Sequence, residues 1–124
     1  MVRFWFVCGG VAGALGVALG AFGAHALKPL LPLQVMTIFE TGVRYHLAHV
    51  PALLLAGVLI QLYPDREKWL NRSAVLFLAG LVLFSGSLYG YAMSDFRPLM
   101  YLTPVGGLAW IAAWLMLAAA FFKK

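Results

Sequence analysis

Four apolar runs, each about 20 residues long, constrain this chain more than any other feature, because a helix of that length spans a bilayer core of about 30 Å. Phe4 to Ala24, Ser73 to Met93 and Thr103 to Phe122 carry no charge, and Gly42 to Leu62 carries one, Arg44. The remaining charges lie almost entirely between these runs. With 64% hydrophobic and 10% charged residues in a chain of 124, too little polar surface exists to solvate a water-soluble domain. The pattern predicts an all-α membrane protein, a single domain of four transmembrane helices. Short connections favour antiparallel neighbours, so the expected topology is an up-down-up-down bundle.

Charge position carries more information than the net value of +5. The nine basic residues do not form the clustered face that nucleic-acid binding requires, and no such partner is expected. An even number of spans puts both termini and the middle loop on one side. That side holds Arg3, Arg66, Lys68, Arg72, Lys123 and Lys124, against Lys28 and Arg97, with Arg44, on the other. The excess predicts cytoplasmic termini. Trp5, Tyr63, Trp69 and Tyr101 are expected as interfacial anchors.

Arg3, the first apolar run and Ala24-His25-Ala26 also resemble a secretory signal. The run is about 20 residues rather than the 7–15 of such a signal, and its glycines are regularly spaced, so it is read as a retained span. Gly9, Gly13, Gly16, Gly20 and Gly23 recur at intervals of four, three, four and three, which lays them on one helical stripe. In lipid that stripe is expected to pack closely on a neighbouring helix, with self-association as the alternative. The lone Cys8 permits no intrachain disulfide and reads as packing.

The stretch ahead of and within the second span is amphipathic. On a helix, Gln34, Thr37, Glu40, Thr41, Arg44, Tyr45 and His49 share one half of the circumference, and Met36, Phe39, Val43, Leu47 and Val50 the other. Glu40 and Arg44, four apart with the acid first, suit an ion pair. Pro51 is expected to kink the helix beyond them. His25, Glu40, Arg44, Tyr45, His49, Ser85, Ser87 and Tyr89 all map to the outer half and form the candidate polar cluster, either structural or ligand-binding.

Histidines invite a metal or haem reading, with His25 and His49 as ligands from different helices. No H-x-x-x-H or E-x-x-H element supports it, so no metal site and no cofactor are expected. The chain also lacks G-x-S-x-G, P-loop and dinucleotide motifs and paired intramembrane carboxylates, so it is not read as an enzyme.

Four segments carry a family resemblance: Gly20 to Leu27 (GAFGAHAL), Glu40 to Tyr45 (ETGVRY), Phe84 to Tyr89 (FSGSLY) and Leu102 to Leu108 (LTPVGGL). They resemble the YgdD/YwdK-type small bacterial membrane proteins, a domain-of-unknown-function family with distant mitochondrial relatives. The resemblance covers nearly the whole chain and implies a four-helix inner-membrane protein. The chain departs from the pattern at His46, where glutamine is expected, and at Pro51. The resemblance therefore points to His25, Glu40, Arg44 and His49 rather than His46. The resulting expectation is a non-enzymatic accessory or structural component, with the lipid bilayer, a larger complex or a second copy as partner. A module binding or transporting a quinone, ion or lipid head group is the alternative, followed by a haem or metal redox protein.

Overall fold

The computed structural model describes residues 2–122, all strands being absent among them. Helix α1 spans Val2–Phe22 and is extended by one wide π turn, Gly23–Leu27. Helix α2 runs Leu33–Leu62 without a break. The third crossing comes in two parts, α3 (Glu67–Gly80) and α4 (Gly86–Ser94), joined by a second π turn at Leu81–Ser85. Helix α5 covers Leu102–Phe122. Four rods of 26 to 31 residues result, each long and apolar enough to cross a membrane. Lys123 and Lys124, counted above with the termini, lie outside the described residues.

The ends follow from local chemistry. Pro29 and Pro32 separate α1 from α2, and Pro64 and Pro98 open the short 3-10 turns Pro64–Arg66 and Arg97–Tyr101. Helix α4 stops at Asp95, which adopts the left-handed conformation (φ 56°), and its amide bonds back to Tyr91 O at 2.8 Å. Pro51 leaves the Leu47 carbonyl without its usual helical donor, yet α2 continues through it. The amphipathic stretch is thus the first half of α2 and not a separate element.

The middle of the bundle is α2 against α3 and α4, with α1 packed on α2 and α5 on α3. The glycine stripe of α1 lies on α2. An added Cβ at Gly9 would fall 2.4 Å from Leu54 Cδ2, at Gly16 2.5 Å from Leu47 Cδ2, and at Gly23 2.6 Å from Phe39 Cε1. Gly13 and Gly20 meet Val50 and Val43 at 3.4 and 3.3 Å. The backbones therefore approach to a distance that side chains would prevent, which strengthens dispersion where no hydrophobic force acts between helices.

Two apolar clusters fill the interior. One, near the termini, includes Trp5, Leu53, Phe77 and Trp110, with Cys8 packed against it. The other, at the far end, contains Leu27, Met36, Phe39 and Ala92. Trp5 is a correction to the anchor expectation, since it is only 2% exposed. It lies on the same α1 face as Gly9, Ala12 and Gly16, and its indole N–H donates to Asn71 Oδ1 at 2.9 Å. Tyr63, Trp69 and Tyr101 are exposed at the rod ends.

Candidate functional site

Between the two apolar clusters lies a buried polar node centred on His46. Its Nε2 is 2.7 Å from Ala12 O on α1, and its Nδ1 is 2.8 Å from the Tyr89 hydroxyl on α4. A carbonyl only accepts, so Nε2 carries the hydrogen, and in the neutral imidazole Tyr89 then donates to Nδ1. Glycines make the room. A Cβ at Gly16 would stand 3.2 Å from the His46 ring, and one at Gly42 would stand 2.9 Å from Tyr89 Cε1. Beside this node, Ser85 Oγ donates to Gly42 O at 2.8 Å.

His49 belongs to a different seam. Its ring stacks on Trp110 at 3.8 Å with an angle of 2°, placing it between α2 and α5. Nδ1–H donates to Tyr45 O at 2.8 Å, and Nε2 accepts from Trp114 Nε1 at 3.2 Å. The two histidines thus adopt opposite neutral tautomers, each fixed by its partners. Tyr45 adds ring contacts to Phe84 (4.9 Å) and Trp110 (6.1 Å).

Helix α5 is fastened to the third rod by further polar contacts. Trp110 Nε1 donates to Phe77 O at 3.0 Å, and Ser73 Oγ donates to Ala113 O at 2.8 Å. Ser87 Oγ donates to Phe84 O at 2.8 Å and accepts from the Thr103 hydroxyl at 2.5 Å. The closest approach is at Gly106, whose added Cβ would meet the backbone nitrogen of Phe84, inside the second π turn, at 2.3 Å. Gly80 similarly receives the Trp110 indole.

The sequence-predicted residues therefore fall into several places. Ser85 and Tyr89 join the His46 node, Tyr45 and His49 join the Trp110 seam, and Ser87 bonds Thr103. His25, Glu40 and Arg44 are exposed on the outside of the bundle. The expected ion pair between Glu40 and Arg44 does not form; the ion pair among the described residues joins Arg66 to Asp65 at 3.5 Å. An exposed pair gains about 0–1 kcal/mol, against the entropy of fixing two long side chains, so one turn of separation does not enforce contact.

A shared haem or metal on His25 and His49 does not fit this geometry. Gly23 sits level with Met36 and Phe39, so His25 lies ten or more residues of helix from His49, about 15 Å or more along the axis. The lone pair on each of His46 and His49 already accepts a hydrogen bond, and no group of three or more His, Cys, Asp or Glu side chains converges among the described residues.

Sequence reasoning passed over His46, Gly42 and Trp110. One signal for His46 was present: Phe39, His46, Leu53 and Ile60 recur every seven residues and are all buried. The expectation of glutamine at that position obscured it.

Apolar rods whose buried polar groups bond across helix seams define a polytopic helical membrane protein. The chain belongs to the family described as "Protein of unknown function (DUF423)", which matches residues 19–107. It is 40% identical over 123 residues to the UPF0382 inner membrane protein YgdD of Escherichia coli (strain K12), covering 98% of this chain and 92% of that one. The UPF0382 membrane protein SH2409 of Staphylococcus haemolyticus is 36% identical, and UPF0382 membrane protein YwdK of Bacillus subtilis 34%, each covering 98% of both chains. No solved structure matches.

Proposed function

We propose that the protein is a non-enzymatic structural or accessory component of a bacterial inner-membrane complex, with both termini in the cytoplasm. The observation that carries this reading is the use made of the buried polar groups. His46, Ser73, Ser85, Ser87, Tyr89 and Trp110 each bond to a neighbouring helix or to backbone, and both ring nitrogens of His46 and of His49 are engaged. Such contacts hold helices in register and leave little polar capacity for substrate. The orientation rests on Arg3, Arg66, Lys68 and Arg72 gathering at the end that carries the N-terminus.

Isolation from native membranes in mild detergent, followed by mass spectrometry of what remains bound, tests the reading. The expected result is one membrane polypeptide recovered repeatedly at constant ratio. A solitary monomer across several mild detergents overturns it.

A further inference from the structure

Helix α2 presents one continuous outward stripe: Glu40, Arg44, Leu47, Pro51, Leu55, Val58 and Leu62, all exposed. Five apolar positions give way to two charged ones. Exposed Tyr63 and Trp69 mark one membrane boundary just beyond Leu62. Counting back from Leu62, about 20 residues fill a core of about 30 Å. The opposite boundary therefore falls close to Val43, between Arg44 and Glu40. Arg44 stands at the edge of the hydrocarbon, and Glu40 stands one turn further out.

Beside these two charges, α1 and α2 enclose a groove of about 170 Å³. Gly20, Gly23 and Ala24 line it from α1, and Glu40, Val43 and Arg44 from α2. Neither charge has an ion-pair partner among the described residues. Lys28 lies beyond, on a separate hollow of about 340 Å³ that Glu40 also borders.

We propose that this groove binds the head of a phospholipid that carries a phosphate and, beyond it, a primary ammonium, namely a phosphatidylethanolamine. In that lipid the phosphate is joined to the glycerol and the ammonium ends the head. The order base then acid, read outward along α2, is the complement of phosphate then ammonium. Arg44 offers a planar fork of N–H donors suited to phosphate. Glu40 accepts from the ammonium, and Gly20 and Ala24 of α1, which line the groove at the level of these two side chains, leave room for the head. A choline head has no N–H to give Glu40. A glycerol head has no positive charge to set against it.

The test uses the full chain purified in mild detergent. Native mass spectrometry measures retention of phosphatidylethanolamine, its N-methyl and N,N-dimethyl derivatives, phosphatidylcholine and phosphatidylglycerol. Retention is expected to fall along the methylation series by about tenfold or more, the scale of one charge-assisted hydrogen bond. Phosphatidylglycerol is expected to be retained less than phosphatidylethanolamine. Glu40→Gln flattens the series, and Arg44→Gln lowers retention of every lipid. A flat series in the unaltered protein overturns the proposal, as does equal retention of the glycerol lipid. A series unchanged in Glu40→Gln also overturns it, and so does a Thr37→Cys variant that cross-links two copies through this face. The unaltered protein alone decides the first two outcomes, so the test does not depend on a variant folding.

Discussion

Tyr89 gives its phenolic hydrogen to His46 Nδ1 at 2.8 Å, across the seam between α2 and α4, while the same ring holds Ala12 O on α1. One imidazole therefore connects three rods at the level where the two apolar clusters meet. Apolar packing in lipid tolerates sliding, because lipid tails are as apolar as leucine. A bond between two particular atoms does not, so the His46 node sets the register of α1 and α4 against α2.

Replacing His46 separates hydrogen bonding from ring shape. His46→Leu loses both bonds and leaves the Tyr89 hydroxyl without its imidazole acceptor. Interhelical hydrogen bonds in membrane proteins are worth about 0.6 kcal/mol on average and about 1.7 at most, so a loss of about 1–3 kcal/mol is expected. A glutamine amide can donate to Ala12 O and its oxygen can accept from Tyr89, so His46→Gln is expected to stay near the original stability. Denaturant titration in detergent micelles, followed by circular dichroism, measures both; His46→Leu matching His46→Gln would sink the argument.

Glycines differ sharply in what a methyl group would meet. At Gly106 it would meet the backbone of Phe84, which cannot turn aside as a flexible side chain can. Gly106→Ala is expected to destabilise by about 1–3 kcal/mol through overpacking. Gly10 and Gly86 have nothing within 4 Å, so alanine there should cost nothing measurable. The same titration ranks the three variants, and equal behaviour at all three would refute close approach at Gly106.

The Trp110 seam predicts non-additivity. Trp110 is buried, stacks on His49 and donates to Phe77 O. Trp110→Ala is expected to cost about 3–5 kcal/mol. Trp114→Phe removes only the indole donor to His49 Nε2 and should cost about 1 kcal/mol. Once Trp110 is gone, His49→Ala should cost less than it does alone, because its stacking partner is already missing. A double-mutant cycle with simple additivity would show that the stack carries no energy.

The four crossings were legible because length and charge depletion do not depend on partners. Side-chain facing was legible only in part. The α2 apolar half named from the sequence includes Met36, Phe39 and Val50, which the structure buries. Its polar half splits, since Glu40 and Arg44 face outward while His49 enters the Trp110 seam. Periodicity says which residues share a face, but not which neighbour covers it. Trp5 shows the same limit: aromatic character near a span end suggests an anchor, and only the partner Asn71, 66 positions away, makes it core. The π turns at Gly23–Leu27 and Leu81–Ser85 have no proline or charge to announce them.

Orientation can be read with single cysteines. Cys8 is the chain's one native cysteine and is half-buried, so Cys8→Ser provides a silent background. Glu67 lies at the end that holds Arg66, Lys68 and Arg72, and Asp95 lies at the opposite end; both are exposed. Basic residues near short loops are retained in the cytoplasm, whereas acidic residues contribute little. In spheroplasts, a membrane-impermeant maleimide should label Asp95→Cys at once and Glu67→Cys only after permeabilisation. Both substitutions remove an acidic residue from loops whose basic residues are unchanged, so neither should itself invert the chain. The reverse labelling pattern would place both termini outside the cytoplasm and the opposite end of the bundle, which bears Glu40 and Arg44, in the inner leaflet.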